Sequence, residues 1–106
     1  MLDFRTHDDS MGRPTPTIEL SDSRHVVALV AGVSKMAAVP AGAQRVLISA
    51  TADVWVQYGT AAALPTGDIL TGLAPELNPS ARMIRGISSL GLASATDCMV
   101  NLCFYG

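Results

Sequence analysis

The stretch VLISATADVWVQYGT, Val46 to Thr60, decides how the rest of the chain is read. Two apolar runs flank a small polar turn. In an extended strand Val46, Ile48 and Ala50 share one face, with Arg45, Leu47 and Ser49 on the other. In the second run Val54, Val56 and Tyr58 lie together, opposite Trp55 and Gln57. A period of two marks a strand with one covered face. The short connection, TAD, predicts an antiparallel hairpin that Gly59 ends.

The same grammar extends in both directions. Upstream, TIEL and RHVVALVAG are β-rich runs separated by the turn cluster SDS, and PAG at Pro40 to Gly42 signals a further turn. Downstream, Thr60 to Ser80 contains three prolines and two glycines, which predicts a long loop with one short strand near Asp68 to Leu70. A loop of this length in a small domain is expected to be functional or held by a partner. ARMIRGI and CMVNLCFY read as the closing strands. Cys98, Val100, Leu102 and Phe104 would line one face of the last, making it central to the core. Seven or eight short strands without an amphipathic helix predict an all-β fold, a small antiparallel β-sandwich or barrel over residues 18–106.

Residues 1–17 have neither helical nor strand period. Pro14 and Pro16 forbid a helix and favour an extended path. Two readings stay open: a frayed tail, or an extended N-terminal arm lying along a neighbour, with Leu2 and Phe4 as anchors and Arg5 and Arg13 as polar contacts.

Composition bears on partners. Of 106 residues, 49% are hydrophobic but only 5% aromatic and 15% charged, and the mean hydropathy is +0.35. Roughly a quarter charged is ordinary for a soluble domain. Much of the apolar content is alanine, so the core is expected to be thin and part of the surface to be hidden in an assembly. The net charge of −2, from seven basic and nine acidic residues spread along the chain, lacks the basic stripe that nucleic-acid binding needs. The N-terminal stretch lacks the apolar region of a signal peptide, and the longest apolar run, VVALVAGV, is too short to span a bilayer. The expectation is a chain made and kept in the cytoplasm unless a larger particle carries it out.

No reaction chemistry emerges. His7 and His25 sit in no metal-ligand spacing with Cys98 or Cys103, and the two cysteines, on opposite faces of one strand, are expected to be unpaired small apolar fillers. There is no nucleophile elbow. Asp53, Asp68, Glu76 and Asp97 each have an ordinary turn or solvation role, and GISSLGL and PAGAQ are turns rather than phosphate loops. The reading is a non-enzyme with no catalytic residue, metal or cofactor. Trp55, on the outer hairpin face, is expected in the core or at a subunit contact; Leu73 and Leu77 in the long loop are further interface candidates.

VPAGAQRVLISATADVWVQYGTAAA, then GDILTGLAPELNPSARMIRGIS and the terminal CMVNLCFYG, together resemble small accessory virion proteins of tailed bacteriophages. The likeness covers roughly residues 38–106 and is mostly β-strand and turn grammar. It implies a β-sandwich or jelly-roll fold and a capsid cement (decoration) role: a homo-oligomer, with a trimer favoured, that binds the major capsid protein in the virion. The alternative is a head-fibre, neck or tail component that binds carbohydrate or a receptor through Trp55 with Tyr58 or Tyr105. Trp55 and Tyr58 differ in parity, which counts against a flat stacking platform.

Overall fold

The computed structural model describes residues 1–3, 6–8, 14–18 and 20–106. These form ten strands and no helix: β1 (Thr6–Asp8), β2 (Pro14–Ile18), β3 (Ser23–Leu29), β4 (Lys35–Ala38), β5 (Arg45–Ala50), β6 (Trp55–Tyr58), β7 (Glu76–Leu77), β8 (Ala81–Met83), β9 (Ser89–Ala93) and β10 (Cys98–Tyr105). Eight of them make two four-stranded antiparallel sheets, ordered β3-β10-β5-β8 and β4-β9-β6-β7.

That order has a simple origin. From β3 onward the chain doubles back on itself, so that β3 pairs β10, β4 pairs β9, β5 pairs β8 and β6 pairs β7. This long antiparallel ribbon then rolls up. Two further pairings, β10 with β5 and β9 with β6, stitch it into two layers. The product is the eight-stranded jelly roll of two facing sheets; the sheets do not close into a barrel. The all-β sandwich expected from the sequence is therefore present.

The expected hairpin is not. β5 and β6 lie in opposite sheets, and Thr51–Val54 is a corner that carries the chain across the core. The alternation itself holds: Val46 and Ile48 on β5, and Val54 and Val56 at β6, are all buried. Alternation reports which face is covered, though, and says nothing about whether the next strand is a lateral neighbour or the opposite layer. Two further corrections follow. GISSLGL is not a turn throughout, because Ser89–Ala93 is a central strand of the second sheet; and the short strand of the long connection is at Glu76–Leu77, not at Asp68–Leu70.

The two inner faces meet in one cluster of twelve buried residues, with Phe104, Leu102 and Val100 of β10 facing Leu90, Leu92 and Val56 of the other sheet. β10 is central, as its pattern requires: Cys98, Val100, Leu102 and Phe104 are buried, while Met99 between them is exposed. Each fully buried Val, Leu or Phe contributes about 1.5–3 kcal/mol relative to exposure. Phe104 is the one aromatic in that cluster, consistent with a core built mainly of mid-sized aliphatics.

The long connection is held by its own sheet. Thr60 to Ala62 cross directly over β9 at Gly91, so close that a Cβ there would lie 2.2 Å from the Thr60 carbonyl oxygen and 2.6 Å from the Ala62 nitrogen. Further along, Gln57 Nε2 donates to the Leu73 carbonyl at 2.9 Å. The outer face of the second sheet is thus roofed by this loop.

At the other end of the molecule Leu2 is tied down. Its N–H donates to Asp22 Oδ1 at 3.0 Å, and its carbonyl accepts from the Gly106 N–H at 2.8 Å. β1 and β2 pair with each other as a separate two-stranded ladder and join neither large sheet.

Candidate interaction surfaces

Once the core is closed, the chemistry left outside can be read strand by strand. On the first sheet Met99, Asn101 and Cys103 of β10 face outward, in register with Arg24, Val26 and Ala28 of β3 and with Leu47 and Ser49 of β5. β8 extends the face with Ala81 and Met83. Val26, Met83 and Met99 are 63%, 53% and 50% exposed, well above what strand residues with a covered face show. The charged side chains in this set are Arg24 and Arg45, the latter donating to the Gly106 carbonyl at 3.3 Å. A shallow depression of about 280 Å³ between β3 and β5 is lined by Val26, Ser49, Met99 and Asn101 among others. This is an apolar, acid-free sheet face open to solvent.

A second surface lies where the roof loop meets β6 and β7. Trp55 is paired with Leu77 on one side and Ala93 on the other, so the indole and the Leu77 side chain share the outer face. Leu77 is 48% exposed, and Leu73 and Leu70 of the loop are 78% and 90% exposed. Between Gln57 and the loop runs a cleft of about 450 Å³ walled by Leu64, Pro65, Ile69, Leu73 and Pro75. Of the sequence-derived interface residues, Trp55, Leu73 and Leu77 are brought to this one region. Leu2 is not among them; it is fixed near Asp22 and Gly106. Phe4, Arg5 and Arg13 lie outside the described residues.

The aromatic partners suggested for a stacking site are occupied elsewhere. Tyr105 is buried, and Tyr58 faces inward, its hydroxyl donating to Glu76 Oε1 at 2.5 Å. Glu76 in turn receives Arg82 through three contacts of 2.9–3.2 Å from Nε and Nη2. Glu76 sits on β7 and Arg82 on β8, the edge strands of opposite sheets, so the trio clamps one open side of the sandwich. Arg82's hydrogen bonds, then Tyr58's, hold the Glu76 carboxyl below its ordinary range; burial, then the Glu76 hydrogen bond, pushes the Tyr58 phenol well up. The sequence placed Glu76 in a loop and missed the clamp. A bidentate arginine partner six residues away is not a spacing that any single strand or turn signals.

The other polar groups have structural partners. Asp97 Oδ1 accepts the Ala31 N–H at 2.8 Å and holds the β3–β4 turn. Asp53 Oδ1 accepts Asn78 Nδ2 at 2.9 Å beside a cleft of about 460 Å³ at the β5–β6 corner, where Asn78 also takes the Val54 N–H. Asn78 adopts a left-handed φ of 51°, which asparagine tolerates better than most residues. The His25 ring lies edge-on to Phe104 at 5.3 Å. Cys98 is buried, and the Cys103 thiol, on the opposite face, donates to Asn101 Oδ1 at 3.2 Å; both are free thiols. Among the described residues no three His, Cys, Asp or Glu side chains gather to hold a metal.

Charge is distributed unevenly. Residues 20–106 carry five acidic and five basic side chains, so the net −2 belongs to residues 1–19. The jelly-roll body is neutral, a condition that promotes association.

No protein-family model, curated protein or solved structure matches the chain. Its fold is known from its own topology, and a jelly roll hosts many functions, among them capsid, lectin and cupin domains.

Proposed function

We propose that this chain is a non-enzymatic structural subunit that works by being bound, as a cement or decoration protein of a tailed-phage capsid clamping adjacent major-capsid subunits. The observation that carries the binding half is the exposed apolar surface on well-formed strands and on a loop seated on its own sheet. Their backbone is already ordered, so covering them costs side-chain ordering and association but little further backbone freedom. The step from a bound subunit to a virion rests on the resemblance of residues 38–106. Localisation to the virion and a homo-oligomeric form, trimeric in cement proteins, belong to the same reading.

On this reading the Trp55–Leu77–Leu73 region is the capsid-facing contact, because it combines an aromatic anchor with a cleft. The test is co-sedimentation with empty capsids assembled from the major capsid protein of the phage that carries this chain. Leu73→Asp with Leu77→Asp, both exposed, should leave the far-UV spectrum unchanged and weaken particle binding by at least about tenfold, or roughly 1.4 kcal/mol. Undiminished binding by that variant would overturn the assignment of this surface.

A further inference from the structure

We infer that β3 is a self-pairing edge: two copies join β3 to β3 antiparallel about Val26, fusing their first sheets into one eight-stranded sheet. This goes beyond the assembly reading above, sets a dimer in place of its trimer, and rests on it only in taking the chain to be a subunit.

The sandwich has four sheet edges, and they are not alike. β7 has two residues, β8 three and β4 four, too short to template much pairing. β3 has seven, and its sequence SRHVVAL contains no proline and no lysine. Edges of that length are normally blunted, because a row of free N–H and C=O groups recruits another strand.

Which groups are free follows from the register. Gln44 N–H donates to the Tyr105 carbonyl and Thr51 N–H to the Met99 carbonyl, so the odd residues of β10 bond toward β5 and the even ones toward β3. Their β3 partners are Ser23, His25, Val27 and Leu29. The backbone groups of Arg24, Val26 and Ala28 therefore point away from the sheet. Lys35 Nζ, which donates to the Ala28 carbonyl at 3.3 Å, marks that outward side and leaves the second lone pair of this oxygen free.

An antiparallel copy centred on Val26 places Val26 opposite Val26, and Arg24 opposite Ala28, twice. All three pairs are in hydrogen-bonding positions, two bonds each. The two Arg24 side chains end up four residues apart along the strand, about 14 Å, beyond the screening length at physiological salt. The one like-charge approach is that of Lys35, whose ammonium on the Ala28 carbonyl must swing aside to admit the opposing Arg24. On the outer face the exposed Val26 side chains meet across the two-fold axis, beside the shallow depression that Met99 also lines. A neutral body and an acid-free face are self-compatible, and a two-fold contact is closed, so growth stops at two copies.

The geometry makes this contact a dimer, distinct from the trimer that the resemblance implies. The test is the mass of the full chain by sedimentation equilibrium over a wide dilution range, with hydrogen exchange at the Val26 amide. Expected are a reversible monomer–dimer equilibrium and Val26 protection that is lost on dilution. Val26→Lys, which sets two ammonium groups face to face, should weaken dimerisation by at least about tenfold. Val26→Pro removes an outward N–H that the native sheet does not use, so the fold survives and the dimer is lost. Val30→Lys, equally exposed but past the strand end, should dimerise as the parent does. A trimer, a monomer at all concentrations, a monomer whose Val26 amide stays protected because β2 of the same chain covers it, or a dimer indifferent to both Val26 variants would each overturn the inference. Capsid binding by a monomeric parent would sink this inference alone; a clean dimer that ignores capsids would sink the capsid reading alone.

Discussion

Gly91→Ala is the substitution whose consequence can be worked out most fully. Gly91 lies mid-strand in β9, and its φ is not in the left-handed region, so alanine meets no backbone strain there. Taken alone, the change should stabilise by about 0.4–1 kcal/mol, because the unfolded chain loses freedom. The space decides otherwise. The new methyl carbon would lie 2.2 Å from Thr60 O, 2.6 Å from Ala62 N and 2.9 Å from Ala61 C, all backbone atoms that no rotamer change can move. Relief requires lifting the roof loop by about 1 Å or bending β9 out of a ladder with β4 and β6 on both sides. Overpacking of this kind costs about 1–3 kcal/mol, and lifting the loop also strains the Gln57–Leu73 hydrogen bond, worth about 1 kcal/mol. After the entropic gain is subtracted the net loss is about 2 kcal/mol. For a domain of this size that corresponds to a fall in Tm of roughly 10 °C. Urea denaturation and a thermal scan both measure it. A Gly91→Ala protein as stable as the parent, or more so, would refute the placement of the loop on β9.

Two other outcomes follow from the packing and the clamp. Phe104→Ala empties the centre of the core and should cost about 3–5 kcal/mol by denaturant titration. Glu76 has its carboxyl held below the ordinary range in the fold, so its contribution is present above that range and is lost as pH falls through the folded value. Glu76→Gln should accordingly flatten the loss of stability below about pH 4.5 while barely affecting its slope between pH 6 and 8. Tyr58 acts in the opposite sense. Its phenol is held neutral, so the stability it adds is lost on the alkaline side, above about pH 10, and Tyr58→Phe should reduce that alkaline slope.

Much of the architecture was legible in residue parity. Val46, Ile48, Val54 and Val56, and the even positions of Cys98 to Phe104, are inward as their alternation requires. PAG forms a turn, with Gly42 at a φ of 86° and the Ala43 N–H bonded back to Pro40. What parity could not supply was the choice of neighbour. β5 and β6 are close in sequence, yet each covers the other's apolar face across the core instead of pairing at its side. GISSLGL reads as a turn on sequence, yet Ser89–Ala93 is a strand. In a strand, an isolated glycine is also the mark of a backbone passing close overhead, and the loop at Thr60 to Ala62 is that backbone. For the candidate site, Trp55 and Leu77 were singled out separately, one on a presumed hairpin and one in a presumed loop. Only the β6–β7 pairing puts them side by side. The outer face of the first sheet went unread because Val26, Met83 and Met99 look like ordinary strand residues until their exposure shows that, among the described residues, they are uncovered.

The central claim is that these uncovered apolar surfaces exist to meet companion chains. A binding isotherm of the unaltered chain on empty capsids purified without it tests this most directly. Saturable binding at a fixed number of copies per capsomer, with a gain in capsid heat stability, is the predicted result. Sedimentation of bare capsids with the chain left wholly in the supernatant, at concentrations well above micromolar, would contradict it.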